Sequence, residues 1–262
     1  MIIDGHQHVC EGVLDQKKMS IAAGIDKVVL FPTLVHPERA RNAGAFLEEM
    51  GSLHAILAGD SNPVEARARS IAELTAKLDA DPGYFLGFGS VPLGLDYRET
   101  GEWIEKNVIG NSLKGIGEAA PGAGRAGSLE PVLRYVHESG RNLPVWIHTF
   151  NPLGKDDIMT IVTLAEKYPA AKIILGHGGG SSWTGLLGLV QKNGNVYIDI
   201  SASFTLFSIR YLSEAFPERT VFSSDLPYGD PELGIRQVEK AVGDLHVRRR
   251  VLGLNTKELL GI

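Results

Sequence analysis

Met1-Ile2-Ile3-Asp4-Gly5-His6-Gln7-His8 is the stretch on which the fold turns. A short apolar run opens into two histidines two residues apart, and on a strand that spacing points both imidazoles to one face, where they can grip one metal ion. Three later segments have the same build. LPVWIHTF, KIILGHGGG and TVFSSDLPYGD close their apolar runs with His148, His177 and Asp225. Four separated β segments thus deliver a ligand-type side chain at the same relative position, as expected when parallel strands close into a barrel and their C-terminal ends converge. The chain reads as α/β, a single (β/α)8 TIM barrel spanning residues 1–262.

Working outward, eight strand-like runs are predicted at 1–5, 27–31, 85–91, 114–118, 145–148, 172–175, 196–200 and 221–224, with helical stretches between them. KVVLF and KIILG are nearly continuous apolar runs, the mark of strands covered on both faces. Tyr168-Pro169 and Phe216-Pro217 read as helix stops, and Asp230-Pro231 as an N-cap followed by proline in the first turn. The region from Thr33 to Asn62 breaks the alternation. An extra helix, Pro37 to Met50, and a strand-like HAILAG are expected there. Glycine and proline gather after the strands, in Phe31-Pro32, Val91-Pro92, Gly178-Gly179-Gly180 and Leu226-Pro227, which places the loops of one barrel face beside the ligand-type residues.

The 262 residues, 44% of them hydrophobic and 22% charged, suit one barrel of about 250 residues. A net charge of −5, with no basic cluster longer than Arg248-Arg249-Arg250, gives no support for a nucleic acid or an acidic membrane as partner. Cys10 is the only cysteine, which excludes an intrachain disulfide. No run approaches the roughly eighteen apolar residues of a membrane span. With Met1 leading straight into the first strand, the expectation is a cytoplasmic protein with a small-molecule substrate; a homodimer is expected only from the general frequency of dimers.

His6, His8, His148, His177 and Asp225 supply the ligand types of a catalytic metal centre, and without a cysteine cluster a closed structural zinc site is not expected. Glu118, at the end of the fourth segment, is a sixth candidate, able to bridge two ions or complete one coordination shell. His36, His54, His137 and His246 lie away from these motifs and read as surface or helix-packing residues. GHGGG lacks the lysine and hydroxyl residue of a phosphate-binding loop and reads as adaptable backbone around His177. Among loop residues, Arg125 is the candidate for an anionic group of the substrate, with Asn151 and Trp183 as further substrate contacts.

IIDGHQH, WIHTF, ILGHGGG and SSDLPYGD at successive strand ends resemble the amidohydrolase superfamily, specifically its amidohydrolase-2 branch, over almost the whole chain. The resemblance implies that His6, His8 and Asp225 hold one ion and that His148 and His177 lie on or near a second. Many members carry a carboxylated lysine on the fourth strand; here Gly117 and Glu118 stand near its end, matching instead the carboxylate of TatD-like relatives. The implied cofactor is one or two divalent ions, zinc first, with manganese, iron or nickel as alternatives. The implied chemistry is attack of an activated water on an amide, ester or lactone bond, with Asp225 shuttling the proton and His177 steadying the oxyanion. The alternative is metal-dependent, non-oxidative decarboxylation of an aromatic or unsaturated acid, as some relatives perform.

Overall fold

The structure, a computed structural model, describes residues 1–12, 14–59 and 64–262. Strands β1 (Ile3–His8), β2 (Lys27–Phe31), β3 (Phe85–Gly89), β4 (Gly115–Ala119), β5 (Val145–His148), β6 (Ile173–Gly176), β7 (Val196–Asp199) and β8 (Thr220–Val221) form one sheet, ordered β1 to β8 and parallel throughout. Helices intervene: α1 (Gln16–Ala22), α2 (Ala43–Leu57), α3 (Val64–Ala80), α4 (Tyr97–Ile104), α5 (Glu130–Ser139), α6 (Lys155–Lys167), α7 (Trp183–Leu189), α8 (Leu206–Ala215) and α9 (Pro231–Ala241), followed by α10 (Leu245–Arg249) and α11 (Asn255–Leu260). The seam between the last strand and the first is closed by main-chain hydrogen bonds. Gly5 donates to Phe222 (3.0 Å), Asp225 to His6 (2.9 Å) and His8 to Leu226 (2.8 Å). This is the expected TIM barrel.

Alternate strand residues fill its interior. Val29, Phe31, Phe88, Trp146, Ile174 and Val221 pack together inside, while Val28, Leu30, Val145, Ile147, Ile173 and Leu175 belong to the larger layer shared with the helices. The big rings fit because glycines stand opposite them. A Cβ on Gly117 would lie 2.7 Å from Phe31, and one on Gly176 would overlap the Trp146 indole. The ring of His6 rests on this floor, with centroids 4.3 Å from Phe31 and 4.2 Å from Trp146.

β2 and β5 fall on their predicted spans, and the others shift by up to three residues at an end. β1 runs on through His8, so both histidines belong to the strand itself. The inserted region differs most. After a short turn at Pro37–Arg39, α2 starts beyond Asn42, whose side chain accepts the Ala45 N–H (3.0 Å), and continues to Leu57. HAILAG is therefore the last turn of a helix, not a strand: a barrel whose eight strands already have neighbours offers no edge to pair with, and alanine and leucine favour the helix. The end of the expected insertion, at Asn62, lies outside the described residues. Arg248 and Arg250 are tied down at the end of α10, to the Val242 carbonyl (2.7 Å) and the Asn255 side chain (3.0 Å). Among the described residues no helix is long and apolar enough to cross a membrane.

Candidate metal centre

All six expected ligands meet at the C-terminal mouth of the barrel. β1 presents His6 and His8, β4 presents Glu118, β5 ends at His148, and His177 and Asp225 follow β6 and β8. His8 Nε2 lies 3.5 Å from both Asp225 Oδ1 and Glu118 Oε2, and His6 Nδ1 lies 3.8 Å from Asp225 Oδ1. On the far side of Glu118, Oε1 is hydrogen-bonded to His148 Nδ1 at 2.6 Å and lies 3.7 Å from His177 Nε2. One ligand atom each from His6, His8 and Glu118 falls within a 4.8 Å group, and the same holds for Glu118, His148 and His177, so Glu118 is common to two triads.

Local backbone aims two of these groups. His177 (φ 59°) and Asp225 (φ 60°) both adopt the left-handed conformation, uncommon outside glycine, and persist because their surroundings hold them. For Asp225 those restraints are its N–H on the His6 carbonyl (2.9 Å) and its carbonyl accepting from Tyr228 (2.8 Å) and Gly229 (3.0 Å). For His177 they are the glycines that follow, at φ 57°, 74° and 53°, with Thr149 Oγ1 accepting the Gly179 N–H at 3.1 Å. The adaptable backbone expected of GHGGG is thus a turn that swings His177 over the barrel.

The electrostatics of the cluster call for a cation. Burial lowers His6 well below the ordinary imidazole value, as does the neighbouring charge of His8; burial likewise lowers His8. Burial alone would raise Glu118, but the hydrogen bond from His148 and the nearby imidazole of His177 outweigh it and hold that carboxyl well below its ordinary value. Asp225 goes the other way, raised well above the ordinary value by burial and then by the negative charge of Glu118. Four atoms, both ring nitrogens of His6, Nδ1 of His8 and Oδ1 of Asp225, are buried without a hydrogen-bond partner. At about 1–3 kcal/mol for each such group, a fold retains them where something else fills the need. Neutral imidazoles and carboxylates are the donor set of a divalent ion, so the residues present fit one.

Above the cluster lies a cavity of about 260 Å³. His8, Glu118, His148, His177 and Asp225 form its polar floor; Met50, Leu53, His54 and Leu57 of α2, with Phe150 and Tyr228, form its walls. Asn151 lines it, and its carbonyl faces His148 Nε2 at 3.2 Å. Arg125 and Trp183 are not brought to this cavity. The Arg125 guanidinium donates to the Gly59 carbonyl (2.9 Å) in a neighbouring pocket, and Trp183 packs on the apolar core at the start of α7. His36 is engaged by Glu38 (3.0 Å), away from the cavity walls.

Three functional residues escaped the sequence reading. His54 reaches the cavity because the inserted segment is helical to its end, which hid its direction from a strand reading. Arg67 is buried on α3 and lines a small pocket with His8, Glu118 and Tyr228. Burial lowers its guanidinium from the ordinary value, and Glu118's negative charge opposes that. Its signal was present: Arg67 lies four residues before Ile71 and seven before Leu74, both buried, on the inward stripe of the helix. Asp199, the last residue of β7, ends its strand as His148 ends β5.

The family model described as amidohydrolase, of the amidohydrolase-2 branch, matches residues 3–262. The chain belongs to the amidohydrolase superfamily. No curated protein matches the sequence. Among solved structures, this amidohydrolase is similar to 5-carboxyvanillate decarboxylase from Sphingomonas paucimobilis (15% identity, TM-score 0.73, covering 100% of this chain and 99% of that one). It is also similar to 2,6-dihydroxybenzoate decarboxylase from Rhizobium (16%, 0.69, 99% and 98%). A third is dihydroxybenzoic acid decarboxylase from Polaromonas sp. JS666 with bound manganese and the inhibitor 2-nitroresorcinol (17%, 0.66, 99% and 96%). At these identities the likeness establishes a shared barrel over the full length of the amidohydrolase chain.

Proposed function

We propose that this amidohydrolase removes carbon dioxide, without oxidation, from a small aromatic or unsaturated carboxylic acid, using a divalent ion held by His6, His8, His148 and Asp225. The observation that carries the reading is the make-up of the cavity: a floor of ligand-type groups under apolar and aromatic walls, in a volume of about 260 Å³ suited to a single-ring acid. The full-length likeness to three decarboxylases of aromatic acids, one holding manganese, supports it. So does Arg67, a buried cation in the small pocket it shares with His8, Glu118 and Tyr228, which brings positive charge next to the cavity floor.

The ion, when bound, supplies positive charge that orients the acid and draws electron density from the ring. The protein's own groups do the rest. Met50, Leu53, Leu57 and Phe150 exclude water and hold the ring over the floor. The bond between ring carbon and carboxylate breaks, its electron pair stays on the ring carbon, carbon dioxide leaves, and that carbon takes a proton. Asp225, on the cavity floor, is the group placed to carry that proton, taking it up from water or from an acidic group of the substrate and handing it to the ring carbon.

Hydrolysis of an amide, ester or lactone is the second reading, favoured by Glu118 being common to two ligand triads, an arrangement suited to two ions. One experiment separates them. Apoprotein reconstituted with manganese or zinc is given a panel of hydroxybenzoic acids and, separately, amides and lactones. Carbon dioxide release with one ion per chain supports the proposal; hydrolysis with two ions and no carbon dioxide from any acid rejects it.

A further inference from the structure

Asp199 and Ser201, neither of which lines the cavity, surround the back of His177. Asp199 is fully buried and Ser201 nearly so. Asp199 Oδ1 accepts the main-chain N–H groups of His177 (3.1 Å) and Ser201 (3.1 Å), and it also accepts the Ser201 hydroxyl. A serine hydroxyl has one proton, and here it is spent on Asp199. Ser201 Oγ can then meet His177 Nδ1, 2.9 Å away, only as an acceptor. The other acceptor near that nitrogen, Asp225 Oδ2 at 4.0 Å, is beyond hydrogen-bond range.

We infer that Asp199 and Ser201 are positioning residues that hold His177 as the Nδ1–H tautomer, leaving the Nε2 lone pair directed at Glu118 and the cavity. Resting on the decarboxylase reading, this turns the acceptor nitrogen of His177 toward the substrate cavity and leaves proton delivery to Asp225. Neither Asp199 nor Ser201 belongs to the ligand set, and neither lines the substrate cavity.

The test reads the tautomer directly. Two-bond ¹H–¹⁵N correlation spectra of apoprotein labelled with ¹⁵N-histidine, at about pH 8 where a free imidazole is neutral, identify which ring nitrogen of His177 carries the proton, with His177→Gln assigning the signals. A protonated Nδ1 in the wild type, lost or averaged in Ser201→Ala and restored in Ser201→Thr, is the expected result. A protonated Nε2 in the wild type overturns the inference, as does an unchanged His177 pattern in a folded Ser201→Ala. Should Ser201→Ala not fold, the wild-type spectrum and Ser201→Thr decide. Because no metal, substrate or turnover enters the measurement, failure here is distinct from failure of the decarboxylase reading.

Discussion

Glu118 and His148, at the ends of neighbouring strands, share a 2.6 Å hydrogen bond, and the same carboxylate reaches His8 through its other oxygen. Glu118 therefore sets the orientation of one ligand ring while standing beside another. Glu118→Gln keeps the shape but forfeits the charge that holds His148. Loss of such an orienting partner costs about 10–100-fold in metal affinity, and manganese titration of the apoprotein should show a loss of that size. Unchanged affinity would leave Glu118 without its assigned part.

Arg67 is expected to act on the substrate, not on the ion. Replacing a planar guanidinium by a point ammonium breaks paired recognition of a carboxylate, so Arg67→Lys should raise KM for an aromatic acid on the order of tenfold while leaving metal content unchanged. Elemental analysis beside steady-state kinetics checks both halves. A loss of bound metal with unaltered KM contradicts the assignment.

The loop after β2 carries a pH-dependent brace. A hydrogen bond to Glu38, and that residue's negative charge, raise His36 above the ordinary imidazole value, and Glu38 also accepts the Glu11 N–H at 3.0 Å. A histidine whose folded value is raised contributes stability fully below its unfolded value of about 6.5 and loses it as pH climbs through the folded value. The melting temperature of wild type should therefore exceed that of His36→Asn by more at about pH 5.5 than at about pH 8.5. An equal gap at both would show that the pair contributes nothing.

Cys10 follows the ligand strand yet is 1% exposed, and burial pushes its thiol up to about 12, with Glu38's charge adding to the shift. Since the thiolate is the reactive form, the native protein should resist alkylation by iodoacetamide at neutral pH and react on unfolding. Rapid labelling of the folded protein would contradict this burial.

Periodicity made the barrel legible: two-residue alternation places His6 and His8 on one face, and apolar runs ending in His148, His177 and Asp225 announce parallel strands with a shared chemical end. The meeting of the ligand-type side chains followed because strand ends converge by geometry. Side chains from the inserted segment did not. His54 was obscured by a run whose composition fits either strand or helix; Arg67, on α3 beyond that segment, was obscured because a charged residue is seldom buried. Arg125, placed correctly in a loop of the ligand face, points into an adjoining pocket, because loop direction is set by contacts distant in sequence, here the Gly59 carbonyl.

The account depends on a cation at the meeting point of His6, His8, His148 and Asp225. Anomalous diffraction from crystals equilibrated with manganese, collected near its absorption edge, tests this most directly. The account predicts a peak bounded by those four side chains and absent in His6→Ala. Peaks only elsewhere, or none, with all four side chains ordered, would contradict it.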